Sequence, residues 1–191
     1  MPHSQWADLP TDLEQQGWSE CEDFLTQEEC EVWLKMAQDN QELMHKAGTG
    51  KGSTFKAQSV RGDHILWLDL DQPLYKSVKD KLERIKNTLN STLYLGLRDI
   101  EAHWALYQNG QGYGKHKDAF CRTNTRVVSL VVYLTPNRTE LDGGQLRLYV
   151  DKPMEFLPQA QRAVCFMSAD IEHEVLPTQT NRWSLAVWFG R

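Results

Sequence analysis

Residues 102–118 read AHWALYQNGQGYGKHKD. An alternating stretch, 102–107, runs into a glycine-rich turn that delivers His116 and Asp118 two positions apart. Residues i and i+2 of an extended chain point to the same face. With 114–118 extended, the imidazole and the carboxylate project into one space. Such a pair is two ligands of a metal site that needs a third. His173, in IEHEVLP, is the candidate. Two imidazoles and one carboxylate form the facial set that leaves coordination positions open on Fe(II). The order His-x-Asp, a β-rich interval, then His is expected to bring the ligands from two opposed strands. Taken singly, each residue also looks like a solvated one, and His173 stands between Glu172 and Glu174.

Arg182 lies nine residues beyond (182 − 173) and opens a last apolar run, RWSLAVWF. Alternation puts Arg182, Ser184, Ala186 and Trp188 on one face, and Trp183, Leu185, Val187 and Phe189 on the other. The first set is the more polar and is expected to face the interior of a barrel. A buried Arg is costly unless it meets an anion, and its planar fork suits a carboxylate. Tyr107 lies on the less apolar face of its strand, and Tyr133 shares a face with Ser129 and Val131. Both read as core tyrosines or as hydroxyl partners of the same acid.

Upstream, Thr26 and Glu29 form a capping-box pair before Cys30, Trp33, Leu34 and Ala37 at helical spacing, which predicts a helix over 26–39. Leu74, Val78, Leu82, Ile85 and Leu89 predict a second over 73–91, with Asp71 as cap, Pro73 in the first turn, and Lys79, Lys81, Glu83 and Lys86 mainly on other faces. Residues 1–20 read as a short lead-in with a first strand. Further strands are expected over 65–68, 100–107, 126–135, 145–150, 163–167, 171–176 and 182–189. Two helices followed by a run of strands imply an α+β protein with a barrel or two-sheet sandwich.

The segment HKAGTGKGSTFKAQ, 45–58, reads as a mobile loop, which is expected to close as a lid over a bound substrate. Its GTGKGS is not a phosphate loop, because Gly52 follows Lys51 and His45 holds the place of the first glycine. Arg61-Gly62-Asp63 reads as an internal turn rather than an adhesion ligand.

The 191 residues suit one domain, with helical support over about 1–95 and a catalytic core over about 96–191. Hydrophobic residues at 40% and charged residues at 25% are ordinary for a soluble globular protein. A net charge of −5 argues against a nucleic-acid partner held through its phosphates. No apolar run approaches a membrane span and the N-terminus has no signal-like core, so a cytoplasmic location without membrane association is expected. Cys21, Cys30, Cys121 and Cys165 have no paired spacing, which fits reduced thiols.

The ordered set RGDHILWLD, YQNGQGYGKHKD, RVVSLVVYLT, DGGQLRLY and HEVLPTQTNRWSLAVWF covers the chain from Arg61 onward. It resembles the Fe(II)/2-oxoglutarate dioxygenases, and among them the prolyl 4-hydroxylase-like enzymes. That branch includes the animal hypoxia-inducible-factor prolyl hydroxylases and bacterial relatives that hydroxylate elongation factor Tu. The resemblance implies a double-stranded β-helix (jelly-roll) core with N-terminal helices packed on one sheet. It implies His116, Asp118 and His173 as iron ligands and Arg182 as the partner of the distal carboxylate of 2-oxoglutarate. Tyr133 is then the hydroxyl that assists Arg182, and Tyr107 and Leu146 line the cosubstrate pocket. Arg61, Asp63, Tyr113, Arg126 and Trp188 match positions near the peptide substrate. Ala186 departs from the pattern, standing where the animal enzymes carry a Thr that touches the cosubstrate. The C-terminal helix that those enzymes use around the substrate has no counterpart before Arg191.

The function so implied is hydroxylation of a prolyl residue at C4, using Fe(II), 2-oxoglutarate and O2, with ascorbate as a supporting reductant. The implied partner is a protein or peptide bearing the target proline, elongation factor Tu among the candidates, and the implied state is a monomer. Two rivals stay open. One is the same chemistry on a free amino acid, another small molecule or an alkylated base. The base version is disfavoured because Trp188 stands where an Arg-x5-Arg pattern would put its second Arg. The other is a non-oxygenase β-barrel that binds Zn or Mn, or a binding module.

Overall fold

The structure is a computed structural model and describes residues 6–47, 61–119 and 126–191. Short strands dominate. β1 is Trp18–Cys21, β2 His45–Lys46, β3 His64–Trp67, β4 Asp99–Tyr107, β5 Tyr113–His116 and β6 Arg126–Tyr133. β7 is Leu146–Tyr149, β8 Met154–Phe156, β9 Ala163–Met167, β10 Glu172–Val175 and β11 Arg182–Gly190. They form two antiparallel sheets. The larger runs β1-β9-β6-β11-β4-β3-β2 and the smaller β5-β10-β7-β8.

The period of two in the long strands sorts their side chains between two cores. Ala102, Trp104 and Leu106 of β4, Val128, Leu130 and Val132 of β6, and Trp183, Leu185, Val187 and Phe189 of β11 face the helices. Ala105 and Tyr107 of β4, Tyr133 of β6, and Val164 and Phe166 of β9 face the smaller sheet, which contributes Leu146, Leu148 and Val175. This is a double-stranded β-helix with helices on one sheet, an α+β fold.

The helices are α1 Leu9–Gln15, α2 Gln27–Asp39 and α3 Lys76–Leu93. The capping box forms as expected: the Glu29 N–H donates to Thr26 Oγ1 at 3.1 Å and the Thr26 N–H donates to Glu29 Oε2 at 2.9 Å. Val78, Leu82, Ile85 and Leu89 of α3 are buried on the larger sheet.

Several expectations need correction. α1 was not anticipated, because Pro10 and a run of polar residues disguise a single pair of buried leucines, Leu9 and Leu13. Residues 73–75 form a 3-10 turn, so Leu74 stands off the helix face and is 50% exposed. Asp71 pairs with Lys79 and caps nothing. Lys81, expected off the apolar face of its helix, is buried, its ammonium bonded to the Phe24 carbonyl at 2.8 Å and to Glu29 at 2.7 Å. β8 was missed as well. The expected loop 45–58 opens with β2, which pairs with β3, and its residues 48–58 lie outside the described residues, as does Cys121.

Candidate active site

His116 ends β5 and His173 sits in β10, and the two are direct cross-strand partners. The ligands therefore come from neighbouring strands of the smaller sheet, not from opposed strands as the sequence suggested. Opposite residues on one face of such a pair have Cβ atoms about 5 Å apart, and the two imidazole centroids lie 4.2 Å apart. Asp118 lies on a bend just beyond β5 rather than on the strand. Its carboxylate still reaches both rings, with Oδ1 3.5 Å from His116 Nε2 and Oδ2 3.6 Å from His173 Nε2. One nitrogen or oxygen from each of the three residues falls within 4.8 Å of the others.

Both histidines present the same nitrogen. His116 Nδ1 is 2.8 Å from the Gly114 carbonyl, and His173 Nδ1 is 3.3 Å from the Ile171 carbonyl. A carbonyl only accepts, so Nδ1 carries the proton and Nε2 keeps its lone pair toward the centre. Burial pushes the His173 imidazole down to about 4, which keeps it neutral. Burial works to raise the Asp118 carboxyl, but His173, His116 and the Ser129 hydroxyl outweigh it and hold it well below the usual carboxylate range. The Ser129 hydroxyl donates to Asp118 Oδ2 at 2.7 Å and lies 2.8 Å from the Ser168 hydroxyl. Tyr113 stacks on His116 at 3.6 Å, and Phe166 packs 4.6 Å from His173. Neutral, oriented imidazoles and an ionised carboxylate with its second oxygen tied are the donor set that holds a divalent metal with open positions.

Arg182 lies on the inner face of the larger sheet, beside Tyr107 and Tyr133. It is 1% exposed, and one guanidinium nitrogen donates to Ser184 Oγ at 3.1 Å. Its Nε and its other terminal nitrogen have no partner among the described residues, nor does the Tyr133 hydroxyl. The guanidinium carbon is 5.0 Å from the Tyr107 ring centre and 5.2 Å from that of Tyr133. A buried cation with two orphaned donors beside an orphaned hydroxyl fits a carboxylate. Gly144 makes room for it. Its φ is +71°, and a Cβ there would meet Arg182 Cδ at 3.0 Å. Leu146 is buried in the core between the sheets, where it pairs with Val175 and Phe156.

Around the rim, Asp63 is wholly buried and holds Arg61 through bonds of 2.7 and 3.0 Å. Arg61 in turn lies 4.8 Å over the Tyr113 ring. Arg126 pairs with Glu101 at 2.8 Å and lies 3.8 Å over the Trp188 ring.

Sequence reading missed three contributors. Ser129 shows itself only as the one polar inward residue of VVSLVV, and Ser168 gives no local signal. Arg138 is buried and donates to the carbonyls of Asp142, Gly143 and Asn181 and to the hydroxyls of Thr178 and Thr180. It rivets the turn before Gly144 to the loop before Arg182.

The chain is similar to known proteins of one superfamily. The model of the 2OG-Fe(II) oxygenase superfamily matches residues 102–190. The crystal structure of a Pseudomonas putida prolyl-4-hydroxylase superimposes with a TM-score of 0.88 at 32% identity, covering 97% of this chain and 98% of that one. A Trichoplax adhaerens prolyl hydroxylase, solved with a hypoxia-inducible-factor peptide fragment, shares the fold at a TM-score of 0.83 and 24% identity, covering 96% of this chain and 88% of that one. The hypoxia-inducible factor prolyl hydroxylase of Caenorhabditis elegans is 29% identical over 151 residues, 71% of this chain, which spans only 20% of that relative. Fe(II), 2-oxoglutarate and O2 are the cofactors expected of this superfamily, and the His-Asp-His cluster and the buried Arg182 suit them. The chain belongs to the 2OG-Fe(II) oxygenase superfamily, in its prolyl 4-hydroxylase-like branch.

Proposed function

We propose that the protein is a cytoplasmic, monomeric, one-domain prolyl hydroxylase that modifies C4 of a proline within a protein or peptide, elongation factor Tu being one candidate. The observation that carries the reading is the pairing of two features: a His-Asp-His cluster packed against Phe166, and a buried Arg182 beside Tyr107 and Tyr133 with two donors that have no partner among the described residues. The P. putida likeness at 32% identity supports the prolyl substrate.

In this reading His116 Nε2, Asp118 and His173 Nε2 hold Fe(II). The metal, when bound with 2-oxoglutarate, supplies the oxidising chemistry that couples O2 reduction to decarboxylation and hydroxylation, with ascorbate restoring the reduced metal. The chain does the rest. The Gly114 and Ile171 carbonyls fix both imidazole tautomers, and the Ser129–Ser168 pair fixes the carboxylate. Arg182 takes the 5-carboxylate of 2-oxoglutarate with the Tyr133 hydroxyl beside it, while Tyr107 and Leu146 close the pocket. The apolar residues between the sheets exclude water from that end. Arg61 with Asp63, Tyr113, Arg126 and Trp188 form the rim on which the peptide rests.

The test is a mass-spectrometric search for oxygen addition to proline in lysate proteins after incubation with the enzyme, Fe(II) and 2-oxoglutarate. The expected result is a small set of sites that appear with the parent and not with His116→Ala. Oxidation of a free amino acid and of no protein would replace this reading with the small-molecule one.

A further inference from the structure

We propose that an aromatic wall of Trp67, His103 and Trp188 reads a peptide group of the substrate. His103 Nε2 accepts a main-chain N–H and Trp188 Nε1 donates to a main-chain carbonyl. The inference rests on the prolyl-peptide reading above and names how that site would tell a peptide from a free amino acid.

The β3–β4 and β4–β11 registers set Trp67 and Ala186 opposite His103 on either side, so Trp188 is a diagonal neighbour of His103. The His103 ring lies 5.0 Å from Trp67 and 5.2 Å from Trp188, and the two indoles are 5.9 Å apart. The flanking β4 residues Ala102 and Trp104 face the helix side, so His103 shares the opposite face with Ala105 and Tyr107. Arg126 lies 3.8 Å over the Trp188 ring, which joins this wall to the rim.

His103 is 2% exposed and Trp188 7%, yet His103 Nε2 and Trp188 Nε1 have no partner among the described residues. Buried polar atoms are normally paired, so two such orphans side by side point to a partner that arrives with a ligand. Their chemistry identifies it. His103 Nδ1 lies 3.3 Å from the Trp104 carbonyl and carries the proton, which leaves Nε2 an acceptor. Trp188 Nε1 is a donor only. One donor and one acceptor on a neutral aromatic wall complement a peptide unit. A free amino acid offers an ammonium and a carboxylate in place of that unit, and the charged pair beside the wall, Arg126 over Trp188 with its partner Glu101, is already mutually satisfied. A prolyl nitrogen has no N–H, so the N–H read by His103 belongs to a residue beside the target proline.

The experiment is an amide-to-ester scan. The best-bound member of a pool of acetylated, amidated decapeptides with one central proline is resynthesised with each main-chain N–H replaced in turn by oxygen. Binding to the enzyme loaded with Mn(II) and 2-oxoglutarate is followed by calorimetry. One replacement is expected to weaken binding to the parent by roughly three- to tenfold, the effect of one hydrogen bond. His103→Phe keeps a ring between the two indoles and removes the acceptor. It should bind the amide peptide as weakly as the parent binds the ester, with no further loss for the ester. His103→Gln restores an acceptor and should recover part of the difference, and it carries the comparison if His103→Phe is not stabilised against heat by 2-oxoglutarate. Equal ester penalties in parent and variants at every position would overturn this inference and leave the prolyl reading intact. Absence of binding to any prolyl peptide, with 2-oxoglutarate still consumed under Fe(II), would overturn both.

Discussion

Arg182→Met removes the guanidinium and keeps much of the volume of its stem. Without an anion, the parent holds a cation that is 1% exposed with two unsatisfied donors. Removing one partner of a buried charge pair costs about 2–5 kcal/mol, or about 30- to several-thousand-fold in 2-oxoglutarate affinity. The unliganded fold should not suffer, because an uncompensated buried charge is itself destabilising. The assay is thermal unfolding with Mn(II) in place of Fe(II), so that nothing turns over. At a hundred times its dissociation constant a ligand adds about 2.7 kcal/mol, which for a chain of this size raises the parent's Tm by about 5–11 °C. The same concentration should move Arg182→Met by less than about 3 °C. A full shift in the variant would show that the carboxylate is held elsewhere and would refute the assignment.

Three further outcomes are expected. Ser129→Ala unties Asp118 Oδ2 and should weaken Fe(II) binding by about 10–100-fold in an anaerobic titration; unchanged affinity would remove the hydroxyl from the account. Gly144→Ala forces a side chain into a left-handed position against Arg182 Cδ, so it should lower the urea midpoint by about 1–3 kcal/mol equivalent and weaken 2-oxoglutarate binding together. In the metal-free protein, burial pushes His173 down to about 4 and His103 down to about 3 from an ordinary 6.5. The unfolded chain then binds protons that the folded one refuses, so stability is complete above about pH 6.5 and is lost as pH falls toward those values. Urea midpoints measured from pH 7.5 to 4.5 should fall, and fall less steeply in His103→Phe; a flat or rising profile would contradict the buried neutral histidines.

Much of the site was legible because it is local. His116 and Asp118 are near neighbours in the chain, although a bend and not the strand period brings the carboxylate to the ring, while Arg182 heading an alternating strand and Tyr133 in register with Ser129 follow from the period of an extended chain. What was not legible is long-range. No local pattern encodes that β5 pairs with β10, so the two histidines were expected from opposed strands when they stand side by side. Lys81 was placed off the apolar face of its helix, and its burial escaped notice because its partner Glu29 lies 52 positions away. His103 looked like the polar half of an alternating strand, and only the fold shows both faces of β4 buried from Ala102 to Tyr107. Arg138 gave no signal, since its five acceptors come from two loops that meet only in the folded chain.

The most direct test of the central claim follows oxygen atoms. The Fe(II)-loaded protein is incubated with 2-oxoglutarate, isotopically labelled O2 and the prolyl peptide pool, and succinate and peptides are analysed by mass spectrometry. The account predicts equal amounts of succinate and hydroxyprolyl peptide, each carrying one labelled oxygen, and neither product from His116→Ala or His173→Ala. Succinate formed without Fe(II), or to the same extent in either variant, would contradict it.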